Sequence, residues 1–430
     1  MPTHAGIAVD RLILEACPSA GSSNVNDAHV AHLTEAILSA LIACRGTDLH
    51  IERGKVRDRL RFRINGAMCE ISAVPHPVLV FVKKRIQLIA SMWLGEEPRI
   101  PREARIERTF SGVQYHLWIG TLPTMWGEKL VLRVSESAYN FLSVDELGLD
   151  DRDFDSMARW LDFSYGIVIV TGATGCGGTT TLLAMANEAA ISGKRVLSLQ
   201  RVVEFAAPNV TQLRVAPKEG LTSGSMLDRL ERETLDLVVI DTHCSVEEMQ
   251  QIAELARSST LFLLRMRAVS PLSTLERLQG MGLDDQTISS VVKGIVCTRL
   301  VRKLCENCKV QMNVEDWPEE YNKLTELCGL VKYAVPGPLS CCIPVGCEHC
   351  LGTGYYGRTS LNDYLELTPN MAEAILKEKS LPERKKLVSA GNPDSVVAKA
   401  IRKIFNGLTT EKEVARALGQ YAWYLPDATT

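Results

Sequence analysis

The sequence has no stretch long and apolar enough to cross a bilayer. Its longest apolar runs, "GIVIV" and "TLFLL", fall far short of the roughly 18 residues that a spanning helix requires. The opening residues, "MPTHAGIAVDRLILEAC", lack a basic region and carry Asp10 inside the apolar stretch, which argues against a secretory leader. A cytoplasmic protein is expected. No charge of one sign is in surplus either: 48 basic and 51 acidic residues give a formal net charge of -3. That balance offers no electrostatic case for nucleic acid as the main partner. Aromatics are sparse at 6%, beside 46% hydrophobic and 23% charged residues, a mixture that fits a globular chain and excludes a disordered or fibrous one. At 430 residues two or three domains are expected, because a single core stops growing well before that length.

Cysteine is the exception to this sparseness, with 13 copies. An odd number spread along a chain without an export signal is not a disulfide framework. Cys305-Glu-Asn-Cys308 and Cys347-Glu-His-Cys350 instead form two C-x-x-C pairs. Each pair can hold one edge of a tetrahedral Zn²⁺, and together they close the site without an open position for chemistry. The long insert between them is compatible, since loop-closure entropy grows only logarithmically. Cys341 and Cys342 could compete as ligands, although adjacent cysteines chelate one metal poorly, and His349 reads as a spacer.

Along the chain, residues 1–26 end in a small, polar run and read as a loose lead-in. Residues 27–135 form an α+β domain. Val30, Leu33, Ile37, Leu41 and Ile42 share one helical face, then Leu49, Ile51, Leu60, Phe62 and Ile64 alternate, with a hairpin turn at Asn65-Gly66. Residues 136–160 are polar and read as a linker. From 161 to 300, apolar strands alternate with helices, which implies a parallel sheet covered on both faces. A four-cysteine module spans 301–367 and a helical region 368–430, where Thr410 and Glu413 form a capping box.

The second domain opens on Gly172–Thr180, "GATGCGGTT", between the strand "GIVIV" and a helix. This is the setting of a phosphate loop, whose backbone N–H groups face an anion at a helix N-terminus. Gly172, Gly175 and Gly177 let the backbone turn tightly and Thr179 offers a hydroxyl to Mg²⁺; with Cys176, which reads as a small residue in place of serine or glycine, Gly178 and Thr180 they are the expected nucleotide-binding residues. Downstream, "LDLVVID" ends in Asp241, a carboxylate placed to hold Mg²⁺. One residue is missing. In G-x-x-x-x-G-K-[ST] a lysine follows the second glycine, and here that position is Gly178. Losing that cation is comparable to losing an oxyanion donor, about 3 kcal/mol or a hundredfold or more in rate. Backbone donors still allow weak ATP binding.

With these segments in view, the chain resembles the type II secretion and type IV pilus assembly ATPases, from about residue 48 to the C-terminal segments. The resemblance rests on "TDLHIE", "RFRINGAM", "TLPTMWGEKLVLRV", "LCENC", "GCEHCLGTGYYGR" and "GLTTEKEVARAL". It implies a RecA-like P-loop domain with a parallel sheet, preceded by a smaller α+β domain and followed by a zinc-binding module and a helical C-terminus. It also implies a ring of this chain or a paralogous ATPase, working with inner-membrane platform proteins at the cytoplasmic base of a secretion or pilus system. Where the family reads T-I-E-D-P-V-E-Y this chain reads "SLQRVVEF", so its water-polarising glutamate falls on Gln200 and the adjacent aspartate on Arg201. The family's apolar-G-E-I-R-D corresponds to "VIDTHCS", which leaves Asp241 as the surviving carboxylate and puts His243 in place of the arginine. Its T-L-H-T-N box corresponds to "RMRAV", which puts Arg267 in place of the histidine. Glutamine can orient a water but cannot take its proton. Slow or absent hydrolysis is therefore expected, the alternative being an active motor in which Arg201, Arg265 or Arg267 supplies the missing cation.

Overall fold

The computed structural model describes residues 4–17, 19, 26–71, 74–92, 100–136, 143–203, 206–216, 220–230, 233–257, 259–313, 340–378, 380–390 and 395–419. Residues 20–25 of the expected lead-in and 137–142 of the expected linker lie outside them. The chain divides into two compact units. The first comprises Met1–Tyr139 with Lys303–Val310 and Ile343–Gly357, and the second comprises Asn140–Arg302, Gln311–Cys342 and Arg358–Thr430.

The first unit holds a six-stranded sheet in the order β3-β2-β1-β6-β5-β4. Its strands are β1 (Gly46–Glu52), β2 (Arg59–Ile64), β3 (Ala67–Ile71), β4 (Arg102–Phe110), β5 (Val113–Thr124) and β6 (Gly127–Glu136). All neighbours are antiparallel. Alternation buries Leu49, Ile51, Leu60, Phe62 and Ile64 together, as the period of two requires. Asn65 and Gly66, at φ 48° and 80°, make the tight turn between β2 and β3; two left-handed residues match the twist of a hairpin.

Three helices, α1 (His4–Ala16), α2 (Asp27–Ala43) and α3 (His76–Ile89), also belong to this unit. Leu33, Ile37 and Leu41 of α2 and Val78, Val82 and Ile86 of α3 enter the same core. The lead-in is not wholly loose: Val9 and Ile13 of α1, one turn apart on one face, are buried in that core.

The second unit is built on a seven-stranded sheet, β15-β12-β7-β11-β10-β8-β9. Its strands are β7 (Gly166–Thr171), β8 (Val196–Gln200), β9 (Thr211–Arg214), β10 (Leu237–Asp241), β11 (Leu261–Met266), β12 (Val292–Leu304) and β15 (Tyr355–Glu366); β13 (Val310–Asn313) and β14 (Ser340–Ile343) pair separately. The six strands from β12 to β9 are parallel. Helix α4 (Asp151–Asp162) takes the C-terminal part of the stretch expected as a linker, and its Met157 and Trp160 are buried. A polar sequence concealed this, because only one stripe of the helix is apolar.

Helix α5 (Gly178–Ile191) packs with α4 on one face of the sheet. On the other, Met249 and Ile252, Leu275 and Leu278, and Ile288 come from helices Val246–Leu255, Pro271–Gly280 and Asp285–Val291. Among the described residues four further helices follow β15, the last being Glu411–Leu418. Thr410 caps it by accepting the Glu413 N–H at 3.4 Å, while the Glu413 carboxylate is taken up by Arg302 and Arg416. Two cations are stronger partners for a buried carboxylate than the single N–H that a capping box offers.

Candidate functional site

Strand alternation decides what faces the glycine-rich loop. Val168 and Val170, Leu261 and Leu263, and Leu237 and Val239 point to the face that α5 covers. Two residues further along β11 and β10 the same face receives Arg265 and Asp241. Strand pairing aligns these ends, with Val170 opposite Arg265, Ile240 opposite Leu264 and Asp241 opposite Gln200. A single row, Val170–Arg265–Asp241–Gln200, therefore runs across the carboxyl edge of the sheet, where open parallel sheets bind their ligands.

The loop itself turns through Gly172, Gly175 and Gly177 at φ 148°, 79° and 90°, a region that side chains strain to enter. Space is also short at Gly172, where a Cβ would lie 2.5 Å from the Thr298 carbonyl oxygen and 2.7 Å from Cys176 Sγ. Gly177 is the N-cap of α5 and Gly178 its first residue. A Cβ at 178 would overlap Cζ and Nε of Arg265 and lie 2.8 Å from Nη1. The guanidinium thus fills the room beside Gly178. Its Nη1 donates to the carbonyl oxygens of Val170 at 3.3 Å and Met266 at 3.1 Å. Its Nη2 donates to the Ala173 carbonyl oxygen at 3.4 Å and to Cys176 Sγ at 3.1 Å.

Thr179 Oγ1 donates to Asp241 Oδ2 at 2.6 Å. Burial raises the pKa of the Asp241 carboxyl, against the pull of the Thr179 hydrogen bond and the Arg265 charge. A hydroxyl and a carboxylate side by side at the N-terminus of α5 suit a Mg²⁺ that takes its remaining ligands from phosphate and water. Gln200 is fully buried. Its Oε1 accepts from Gln212 Nε2 at 2.8 Å, and its Nε2 has no partner among the described residues. Arg201, His243 and Arg267 are exposed.

In the first unit, Cys305, Cys308, Cys347 and Cys350 bring their four sulfurs within 4.8 Å of one another. The separations are 3.9 Å for Cys305–Cys347, 3.7 Å for Cys308–Cys350 and 3.8 Å for Cys347–Cys350. A tetrahedron with Zn–S bonds of about 2.3 Å has edges of about 3.8 Å, so the cluster is compatible with zinc. Backbone N–H groups support it: Gly346 donates to Cys308 Sγ at 3.3 Å, and Cys347 and Gly354 donate to Cys350 Sγ at 3.2 and 3.1 Å. Although burial raises the Cys350 pKa, these two amides and the neighbouring thiols bring it down to about 7. Cys341 is buried in the cluster of the C-terminal helices, and the His349 ring lies 4.2 Å from that of Tyr356.

Comparison with known proteins fits this arrangement. The family model described as "Type II/IV secretion system protein" matches residues 23–416. The chain belongs to the type II/IV secretion system protein family. It is 28% identical over 399 residues to the type IV pilus assembly ATPase TfpB of Acinetobacter baylyi, covering 92% of this chain and 66% of that protein. It is 27% identical over 391 residues to the type II secretion system ATPase E of Vibrio cholerae, covering 91% of this chain and 76% of that one. It thus spans just under two thirds of the first relative's length. Among solved structures, the Legionella pneumophila ATPase DotB shares the fold with a TM-score of 0.60 at 15% identity, over 89% of this chain and 95% of DotB.

In this member of the type II/IV secretion family the structure sets Thr179 of the loop beside Asp241 and gathers the four cysteines. It separates the three arginines. Arg201, Arg265 and Arg267 were equal candidates in the sequence, but Arg265 alone of the three bonds the loop. Spacing holds the missed signal: Arg265 stands two residues beyond Leu263 within β11, whereas Arg201 and Arg267 lie beyond the ends of β8 and β11.

Proposed function

We propose that the chain is a subunit of a type II secretion or type IV pilus assembly machine, bound to the cytoplasmic side of a bacterial inner membrane, which holds nucleotide and hydrolyses it slowly or not at all. It would assemble in a ring with itself or with a paralogous ATPase and engage membrane platform proteins. No helix among the described residues is long and apolar enough to cross a membrane, in keeping with peripheral attachment. Zn²⁺ at Cys305, Cys308, Cys347 and Cys350 would be structural. Mg²⁺ held at Thr179 and Asp241 would neutralise phosphate charge.

The observation that carries the reading on hydrolysis is Gln200. It ends β8 opposite Asp241, where the family resemblance places the glutamate. An amide fully buried there and held by Gln212 has no means of accepting a proton from water. A second reading, an active Mg²⁺-dependent motor, is favoured by the position of Arg265 beside Gly178. Phosphate release by the zinc-loaded protein separates the two. The first reading expects turnover near background together with co-purification of a family member whose loop lysine is intact. Turnover that is brisk and lost in Asp241→Ala would establish the second.

A further inference from the structure

The room in which a residue-178 side chain would start is taken by a guanidinium from another strand. We propose that Arg265 is the phosphate-binding cation of this loop, brought in from β11 through the space that Gly178 leaves open, and that a side chain at 178 and this guanidinium exclude one another. The inference rests on the reading that the loop takes a nucleotide.

Three observations support it. A Cβ at 178 would overlap the Arg265 guanidinium where it now lies, so a side chain there would move this flexible arginine away from the loop. All four hydrogen-bond acceptors of the guanidinium are neutral, three carbonyl oxygens and one thiol. Among the described residues no carboxylate forms an ion pair with it, although it acts on the Asp241 charge, and it stands against the loop at Ala173 and Cys176. Finally, Arg265 and Asp241 share a row on the α5 face, so a phosphate resting on the loop amides would meet the guanidinium on one flank and a Mg²⁺ held by Thr179 and Asp241 on the other. An arginine in that place can exchange its weak carbonyl bonds for phosphate oxygens, to which charge-assisted bonds are roughly twice as strong.

The test is equilibrium binding of mant-ADP, and of AMP-PNP by competition, to the full zinc-loaded chain in Mg²⁺. Arg265→Ala is expected to weaken both by about ten- to a hundredfold, the effect of removing a hydrogen-bonded charge. Gly178→Ala should weaken them too, by displacing the guanidinium, while Arg265→Lys retains most of the affinity. The double variant Arg265→Ala/Gly178→Lys should return binding toward the original value. Near-ultraviolet circular dichroism checks folding, and if Arg265→Ala does not fold, Gly178→Ala and Arg265→Lys decide.

Affinity unchanged by Arg265→Ala or Gly178→Ala would overturn the proposal and leave Arg265 as a staple of the loop backbone. If the unmodified chain binds neither nucleotide but the double variant does, Arg265 is a plug: the proposal fails while the loop remains a nucleotide site. If no variant binds either nucleotide, the reading of the loop falls and the proposal with it.

Discussion

The phosphate loop and the cysteine cluster are both built on glycine turns, but they differ in what the turns hold. Around Cys347–Gly354, Gly346, Gly352 and Gly354 take φ of 104°, 72° and 75°; the Gly346 and Gly354 amides point at sulfur, and that of Gly352 donates to the Cys347 carbonyl oxygen. Shape and ligand set agree there. Around Gly172–Thr180 three glycines at positive φ set the shape, but no such set of like groups surrounds it. Gly178 carries no side chain, the Arg265 guanidinium lies beside it from a neighbouring strand, and the amide of Gln200 stands opposite Asp241. A turn is specified by backbone torsions and a charge by side-chain reach, so one can be retained while the other is exchanged.

Removing metal should have the largest effect and should be confined to one side of this comparison. Structural zinc contributes on the order of 10 kcal/mol to small metal-dependent folds. Cys308→Ser, or treatment with a strong chelator, is expected to release close to one zinc per chain by elemental analysis and to lower the melting temperature by roughly 10 °C or more. The loop variants should leave zinc content unchanged. A chelated protein that melts like the untreated one would show that the four thiols are not a metal site, and the contrast between the two regions would collapse.

Next in size is an attempt to give the loop the chemistry its shape suggests. Gly178→Lys with Arg265→Ala supplies a cation on the helix, and Gln200→Glu supplies a base that can still accept from Gln212. A well-placed base contributes about 10²- to 10⁴-fold. The triple variant should therefore raise phosphate release by about that factor over the unmodified chain, and Gln200→Glu alone should match it if Arg265 already serves as the cation. Turnover unchanged in both would mean that the row at the sheet edge is not where water is activated.

Much of this was legible in the sequence because it is local. The hairpin at Asn65-Gly66, the apolar run of β7, the loop glycines and the C-x-x-C spacing all declare themselves within a few residues. What the sequence withheld depends on pieces that come together only through packing. Helix α1 is short, and its burial is visible only once Val9 and Ile13 meet α2 and the sheet. The cysteine pairs join the first unit although they follow most of the second in the chain, a grouping no local pattern can encode. The choice of Arg265 over Arg201 and Arg267 needed the order β7-β11-β10-β8 before strand parity could be applied. Half of that inference was available earlier: Leu261, Leu263 and Arg265 are spaced by two, which already puts the arginine on the face of its buried neighbours.

The smallest expected effect has the opposite sign from the first. Burial holds the Asp241 carboxyl above its ordinary value of 3.8, despite Thr179 and Arg265. A carboxyl raised in this way binds its proton more tightly in the folded chain than in the unfolded one. Stability then declines as pH climbs from the unfolded value toward the folded one, and stays lower above it. At neutral pH the ionised carboxylate therefore costs the ligand-free protein stability. Asp241→Asn keeps an oxygen to accept from Thr179 and removes the charge, so it should raise the melting temperature by about 2 °C at neutral pH. That gain should shrink as the pH is brought down to about 4, while Mg²⁺-dependent nucleotide binding is lost throughout. A gain of the same size at both pH values would trace to packing, and the carboxylate would then not be strained toward a cation it is placed to hold. No cysteine of the four-thiol cluster should show such a gain on substitution, because a zinc held there would balance the thiolate charges.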